Sequence, residues 1–283
     1  MPQTTATETP SRPVRRPRRA TVLEREALTP HLIRLVLGGE GLEGFAAGEF
    51  SDHYVKLLFP PAGAPYGPDA DVEQVRATLP REQWPRMRTY TVRAWDPAAG
   101  RLTIDVVVHG DVGFGGPWAS AVRPGDLIQL LGPGGGYAPD PSADWHLLIG
   151  DPSVVPAIAA SLPRIPDGVP TIVLVESAGP DDETPLDAPP QADVRWLRRA
   201  PDEPHGSALL RVLEDLELPA GRPQLFLHGE AGAVRAIRRR LLVERGLPRD
   251  GHSISGYWKH RRDDEAWRAE KAQWLAEVEA DDR

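Results

Sequence analysis

The chain has 283 residues, a formal net charge of −8, 40% apolar residues and no cysteine. Without cysteine there is no disulfide, thiolate zinc site, cysteine-ligated iron–sulfur cluster or thiol nucleophile, and the acidic balance argues against nucleic-acid binding. The length suits two domains, each able to bury its own core, and 27 glycines with 31 prolines favour short strands and turns over long helices.

Residues 1–20 carry Arg12, Arg15, Arg16, Arg18 and Arg19 against Glu8 alone, the composition of a disordered basic tail. No apolar stretch follows those arginines, so a secretory leader is not expected, and a cytoplasmic location is. Apolar runs such as Thr171–Val175 are too short for membrane insertion.

From residue 21 to 138 short β-type runs are broken by Gly and Pro. Strands are predicted at Leu32–Leu37, His53–Phe59, Arg88–Trp95, Leu102–His109 and Asp126–Leu131, with Pro60–Pro85 as an excursion. Close spacing of short strands predicts an antiparallel barrel or sandwich. At Gly132–Gly136, read as a hinge, the pattern changes. Over 139–262 the continuous apolar runs Trp145–Ile149, Thr171–Glu176, Val194–Leu197 and Leu225–His228 alternate with helical patterns at Val155–Leu162, Ser207–Leu216 and Ala233–Arg245. That alternation predicts a parallel sheet covered on both faces. Residues 263–283 end in an amphipathic helix with Trp267, Trp274, Leu275 and Val278 as its apolar positions. The fold class is thus β-barrel plus α/β, an antiparallel barrel followed by a parallel-sheet domain, as in ferredoxin reductases.

Two segments carry chemistry. In Arg88-Thr-Tyr-Thr-Val-Arg93, strand alternation puts Arg88 and Tyr90 on one face. A guanidinium grips a pyrophosphate with paired hydrogen bonds, and a tyrosine ring stacks on an isoalloxazine. Thr91, on the opposite face, has its backbone N–H to offer the flavin. The same hexapeptide also fits an ordinary strand with a half-buried tyrosine and two surface arginines. Further on, a strand runs into a loop holding Gly110, Gly113, Gly115 and Gly116, with a helix expected from Pro117. Such a loop suits close approach of backbone amides to phosphate, or is simply a flexible strand-to-helix turn. Eight scattered histidines suggest no bound metal.

Together the two segments resemble the siderophore-interacting protein family. Arg88–Arg93 is similar to its RxYTxR flavin motif, and His109-Gly110, Trp118-Ala119 and Pro124-Gly125-Asp126 follow its next block. Asp52–Pro60, Gly132–Gly135, Trp196–Arg198, Gly229-Glu230-Ala231 and Gly256-Tyr257-Trp258 also match, so the resemblance spans roughly residues 20–275. It implies FAD in the barrel, NAD(P)H or a ferredoxin as electron donor, and a ferric siderophore as substrate. Carried over by position, Arg88, Tyr90, Thr91, His109, Gly110, Gly113, Gly115, Gly116 and Trp118 would hold the flavin dinucleotide. Gly150, Asp151, Ser153, Gly229 and Glu230 would face the nicotinamide.

Two loops depart from the family. Where it reads GPASxW, this chain has Gly113-Phe-Gly-Gly-Pro-Trp118, which removes the serine hydroxyl. Where it reads GDETALPAI, this chain has Gly150-Asp-Pro-Ser-Val-Val-Pro-Ala-Ile158, and Pro152 lacks a backbone donor.

Of 33 basic residues only Lys56, Lys259 and Lys271 are lysine. A lysine retained in an arginine-rich chain presents a compact point charge. Lys56 lies on a barrel strand and Lys259 follows Tyr257-Trp258. The resemblance implies that lysines at such places bind anionic ferric chelates, so Lys56, Lys259 and Trp258 are substrate-binding candidates. Lys271 belongs to the terminal helix and receives no role.

The expected function is an FAD-dependent ferric-siderophore reductase, with FAD dividing a two-electron donation into single electrons. Such chemistry calls for no catalytic acid or nucleophile. The alternatives are a flavin, quinone or pathway-specific reductase on the same scaffold, or a chelate- or flavin-binding protein without turnover.

Overall fold

The computed structural model describes residues 16–108, 110 and 113–281, so His109 and most of the basic tail lie outside the described residues. Six strands form a closed barrel: β1 (Arg18–Thr29), β2 (Leu32–Gly38), β3 (Tyr54–Phe59), β4 (Arg86–Asp96), β5 (Arg101–Val107) and β6 (Leu127–Gly134). Their order around it is β1-β2-β5-β4-β3-β6, and every described pairing is antiparallel. Closure removes the exposed edges of an open sheet. The inner face is apolar, with Val22, Leu35, Leu57, Leu102, Ile104 and Leu130 fully buried.

Strand β1 was not predicted, and it begins inside the stretch read as tail. Its charged residues Arg18, Arg19, Glu24, Arg25 and Glu26 mask the two positions, Ala20 and Val22, that point into the core. The excursion contains a short helix, α1 (Val72–Thr78), capped by Asp71, whose carboxylate accepts from the N–H groups of Glu73 and Gln74. The supposed hinge is partly strand: Gly132–Gly134 complete β6, and a side chain at residue 134 would run into the Tyr54 ring at 2.5 Å. The loop after β5 leads into α2 (Gly115–Ala121), which starts two residues before the expected Pro117.

The second domain has the parallel strands β7 (Trp145–Gly150), β8 (Thr171–Ser177), β9 (Ala192–Arg198), β10 (Pro223–Glu230) and β11 (Ser253–Trp258), in the order β9-β8-β7-β10-β11. The connecting helices are α3 (Val155–Ser161), α4 (Ser207–Asp215) and α5 (Ala231–Arg238), the last continuing as a π-helical turn over Arg239–Glu244. Strand β11 went unpredicted because Ser253-Ile-Ser-Gly-Tyr-Trp258 is half polar and half-buried. The strand order reverses between β7 and β10. Such a switch point leaves a crevice at the carboxyl ends of the strands, where open α/β sheets bind ligands.

The terminal helix α6 (Asp264–Ala280) buries Trp267, Trp274 and Val278 against the sheet domain, while Leu275 faces outward. The Trp274 indole donates to the Ala231 carbonyl (3.1 Å), and Arg235 of α5 binds Glu277 and Asp281. The amino end of α6 reaches across to the barrel. Among the described residues no helix is long and apolar enough to cross a membrane.

Candidate functional site

Three groups of side chains meet around the seam between barrel and sheet. The first joins the two sequence motifs. Strand β4 places Arg88 opposite Leu57 and Tyr90 opposite Val55. The Arg88 guanidinium lies 5.0 Å from the Phe114 ring, and the Tyr90 hydroxyl presses against Gly115. A Cβ at residue 115 would stand 1.6 Å from that oxygen. Glycine in place of the family's alanine therefore makes the space that Tyr90 occupies. Burial pushes the Tyr90 phenol well above its usual range, with Arg88 partly opposing, so it stays a neutral hydroxyl.

Arg88 has five N–H donors. Nη1 donates to the Met87 carbonyl (2.7 Å) and to Glu265 Oε1 of α6 (2.8 Å), and Nη2 donates to Glu265 Oε2 (3.0 Å). Nε–H and the second N–H of Nη2 take no partner among the described residues. They lie side by side on one edge of the guanidinium, the fork that matches two oxygens of a phosphate. These residues therefore suit a flavin dinucleotide. Gly113, with φ 89°, and Gly110, with φ 57°, hold left-handed backbone where an added Cβ would meet nothing. Glycine is needed there for conformation rather than for space. Gly116 accepts at its carbonyl from the Ser120 hydroxyl (3.0 Å). Thr91 is buried on the opposite face, and Trp118 packs edge-on against Phe59 (5.5 Å) at the end of the barrel core.

The second group lies at the switch point. Asp151, just after β7, accepts from the Ser153 N–H and hydroxyl at Oδ1 and from the Glu230 N–H and Trp258 indole at Oδ2, both of the latter at 2.8 Å. Glu230 caps α5 through the Ala233 N–H (2.8 Å) and accepts from the His260 N–H (3.1 Å). At Gly229 an added Cβ would stand 2.6 Å from Asp151 Oδ2, and at Gly150 it would stand 2.5 Å from the Val154 side chain. Gly150, Asp151, Ser153, Gly229 and Glu230 thus lie together at the switch point, and the carboxylates of Asp151 and Glu230 tie β7, β10 and β11 into one rigid edge.

Above that edge a cleft of about 410 Å³ opens between the domains, lined among others by Val107 and Gly110 from the barrel and by Asp151, Ser153, Ser177 and Trp258 from the sheet. Pockets of this size hold cofactors and drug-sized ligands. The Ser177 hydroxyl is buried without a partner among the described residues, and such a group awaits a ligand or water. Across the mouth, His31 of the β1–β2 turn contacts Asp182 after β8 (2.6 Å). Arg199 lines the cleft, but its Nε binds Glu176 (3.2 Å) and its Nη1 donates to the carbonyls of Ala200 and Glu203. Burial raises the Glu176 carboxyl, while the Gly206 and Ala208 N–H groups and Arg199 oppose it. Glu265, Ser177, Glu176 and His31 belong to no motif, and Phe114 lies in the altered loop without having been given a role. Only Glu176 carries a sequence signal, an acid at the end of the second strand of a nucleotide-type sheet.

The third group is cationic. Lys259 is not open, because it pairs with Glu270 (2.7 Å). Lys259 and Lys271 each place Nζ 5.9 Å from the centre of the Trp267 ring, and Lys271 donates to the Gly256 carbonyl (3.0 Å). Lys56 stands 5.9 Å from the Tyr54 ring. Burial lowers the Lys271 ammonium, Asp264 opposes this, and Lys56 and Arg268 add to it. All three lysines therefore gather at α6, including Lys271, which lies on the helix itself. Among the described residues no set of three or more His, Asp or Glu is placed to hold a metal ion.

Comparison with known proteins agrees with this architecture. Residues 21–137 match the model of the siderophore-interacting FAD-binding domain, and 143–261 match that of the siderophore-interacting protein. The ferric vibriobactin reductase of Vibrio cholerae is 34% identical over 262 residues, covering 90% of this chain and 94% of that protein. The chain belongs to the siderophore-interacting protein family. That membership makes it a flavin-dependent oxidoreductase. An uncharacterized protein of Mycobacterium tuberculosis is 41% identical over 271 residues, covering 89% and 93% of the two chains. Among solved structures, the siderophore-interacting protein SipS of Aeromonas hydrophila superposes with a TM-score of 0.78 at 29% identity, covering 93% of this chain and all of that one.

Proposed function

We propose that this member of the family reduces ferric iron held in an anionic chelate, taking electrons from a nicotinamide donor seated in the interdomain cleft. The observation that carries the reading is the convergence of Arg88, Tyr90 and the Phe114-Gly115 loop beside a cleft at the switch point of the parallel sheet. Bound FAD supplies the conversion of a two-electron donor into one-electron steps. The chain's residues bind and orient. Arg88 offers its open edge to the pyrophosphate, Tyr90 offers a neutral ring to the isoalloxazine, and Gly110 and Gly113 let the loop backbone approach. Ser177 and Ser153 supply hydroxyls to a donor, and Trp258, with its indole fixed by Asp151, gives the cleft a rigid apolar wall.

The lysine cluster supports the choice of substrate. In a protein of net charge −8, an anionic chelate needs a local positive field to approach, and Lys259 and Lys271 beside the Trp267 ring, with Lys56 beside Tyr54, supply its positive charges. The iron remains the chelate's cargo, so no protein ligand to it is required. The test is anaerobic. Protein reconstituted with FAD should lose its flavin absorbance on addition of NADH or NADPH and regain it on addition of a ferric catecholate, with ferrous iron appearing in a chromogenic trap. A flavin that neither nicotinamide reduces would remove the cleft's assigned role.

A further inference from the structure

We propose that Glu265 of the terminal helix is a positioning residue for flavin binding: it clamps one edge of the Arg88 guanidinium so that the other edge is presented to the FAD pyrophosphate. This inference rests on the flavin reading above. Arg88 is on the barrel and Glu265 is 177 positions further along, at the start of a helix packed on the other domain. Their contact is two-pronged, 2.8 and 3.0 Å, and engages only the end edge formed by Nη1 and Nη2. The Met87 carbonyl takes the other Nη1 hydrogen at 2.7 Å, and the Phe114 ring lies 5.0 Å from the guanidinium carbon. The guanidinium is therefore fixed in place and in plane, with its Nε–Nη2 side edge left as the open fork. A free arginine side chain spreads over many rotamers, and holding it before the ligand arrives removes that entropy from the binding step.

The opposite expectation is that a carboxylate beside the pyrophosphate only repels it, or takes its place. Either edge of a guanidinium can hold a phosphate; Glu265 takes only the end edge, so the Nε–Nη2 edge stays open while the clamp is in place, and the titration below separates a clamp from a competitor. Glu265 is itself anchored: burial alone would raise its carboxyl, yet the Arg88 contact holds it below the usual range. Neighbouring Asp264 is paired with Arg268 (2.5 Å) and stays 3.7 Å from Arg88. Flavin retention by the barrel thus depends on the docking of a helix that belongs to the sheet domain.

The test is an FAD titration of flavin-free protein, followed by quenching of flavin fluorescence, with thermal unfolding of each apo form as the check on folding. Glu265→Ala should raise the FAD dissociation constant about tenfold, within the rotamer freedom an arginine loses when clamped. Glu265→Gln, which keeps the volume and one acceptor, should fall between. Glu279→Ala, which removes an exposed acid from the same helix, should match the wild type. In an Arg88→Ala background the further change Glu265→Ala should shift affinity by less than about twofold, since its effect passes through Arg88. Tighter or unchanged FAD binding in Glu265→Ala would overturn the proposal, as would an equal loss with and without Arg88. A wild type that takes up no FAD would instead overturn the flavin reading itself.

Discussion

The hydroxyl of Tyr90 fills the space above Gly115: a Cβ built on that glycine lies 1.6 Å from the phenol oxygen and 2.9 Å from the ring carbon that bears it. Gly115→Ala should therefore push the tyrosine out of its seat, at a cost of about 1–3 kcal/mol for overpacking. Adding Tyr90→Phe removes the closest atom and should recover part of that loss. Urea denaturation of the three variants checks this, and an additive double mutant would show that the two residues do not meet.

Arg88→Ala should weaken FAD by about 10- to 100-fold, the range expected for a charge-assisted contact to a phosphate. FMN, which lacks the second phosphate, should be affected much less. Calorimetry with both flavins makes the comparison, and an equal loss for the two would place Arg88 away from the pyrophosphate.

The proposed substrate role of the lysines predicts a salt dependence. Lys56→Ala with Lys259→Ala should raise the dissociation constant of an anionic ferric catecholate by about tenfold, since exposed charge contacts contribute roughly 1 kcal/mol or less each. Affinity of the wild type should fall with ionic strength more steeply than that of the double variant. FAD content should not change; loss of flavin in the variant would make the lysines structural. Glu270→Gln, which releases Lys259 from its pair, should act in the opposite direction and tighten chelate binding.

A pH dependence of stability follows from His228. Burial pushes its imidazole down to about 3, with the Ser255 carbonyl opposing and Lys271 reinforcing the shift. Nδ1–H donates to the Ser255 carbonyl (3.1 Å) and Nε2 accepts from the Ser253 hydroxyl (2.9 Å), so the fold wants the neutral ring. The unfolded chain takes up a proton near pH 6.5, whereas the folded chain does not until about 3. Stability therefore falls as pH drops through that window, by about 1.5 kcal/mol from this group between pH 6.5 and 5. His228→Gln should flatten the slope measured by urea denaturation; an unchanged slope would mean that the titration lies elsewhere.

Much of this was legible in the sequence because it depends on local periodicity. The barrel strands β2 to β6 are short β-type runs set off by Gly and Pro, the sheet strands β7, β8 and β10 are continuous apolar runs, and the Arg88/Tyr90 face follows from counting by two. The strands that escaped, β1 and β11, carry their core residues among charges or hydroxyls. Site residues that meet across the seam were invisible for a different reason. Nothing local in Asp264-Glu265 points to Arg88, or in His31 to Asp182, because tertiary folding alone brings them together. Asp151, Gly229 and Glu230 show the converse: a motif identifies them, yet the structure uses their polar atoms and lack of bulk to shape the edge of the cleft.

The most direct measurement is a single anaerobic sequence on FAD-loaded protein: reduction of the flavin by NADH or NADPH, then mixing with one equivalent of a ferric catecholate in the presence of a ferrous-iron trap. The structure predicts that flavin absorbance returns as trapped ferrous iron accumulates, two irons per flavin over successive additions, and that the Lys56→Ala/Lys259→Ala variant slows this second phase but not the first. Reduced flavin that persists beside the ferric chelate, yet is reoxidised at once by a quinone, would contradict it.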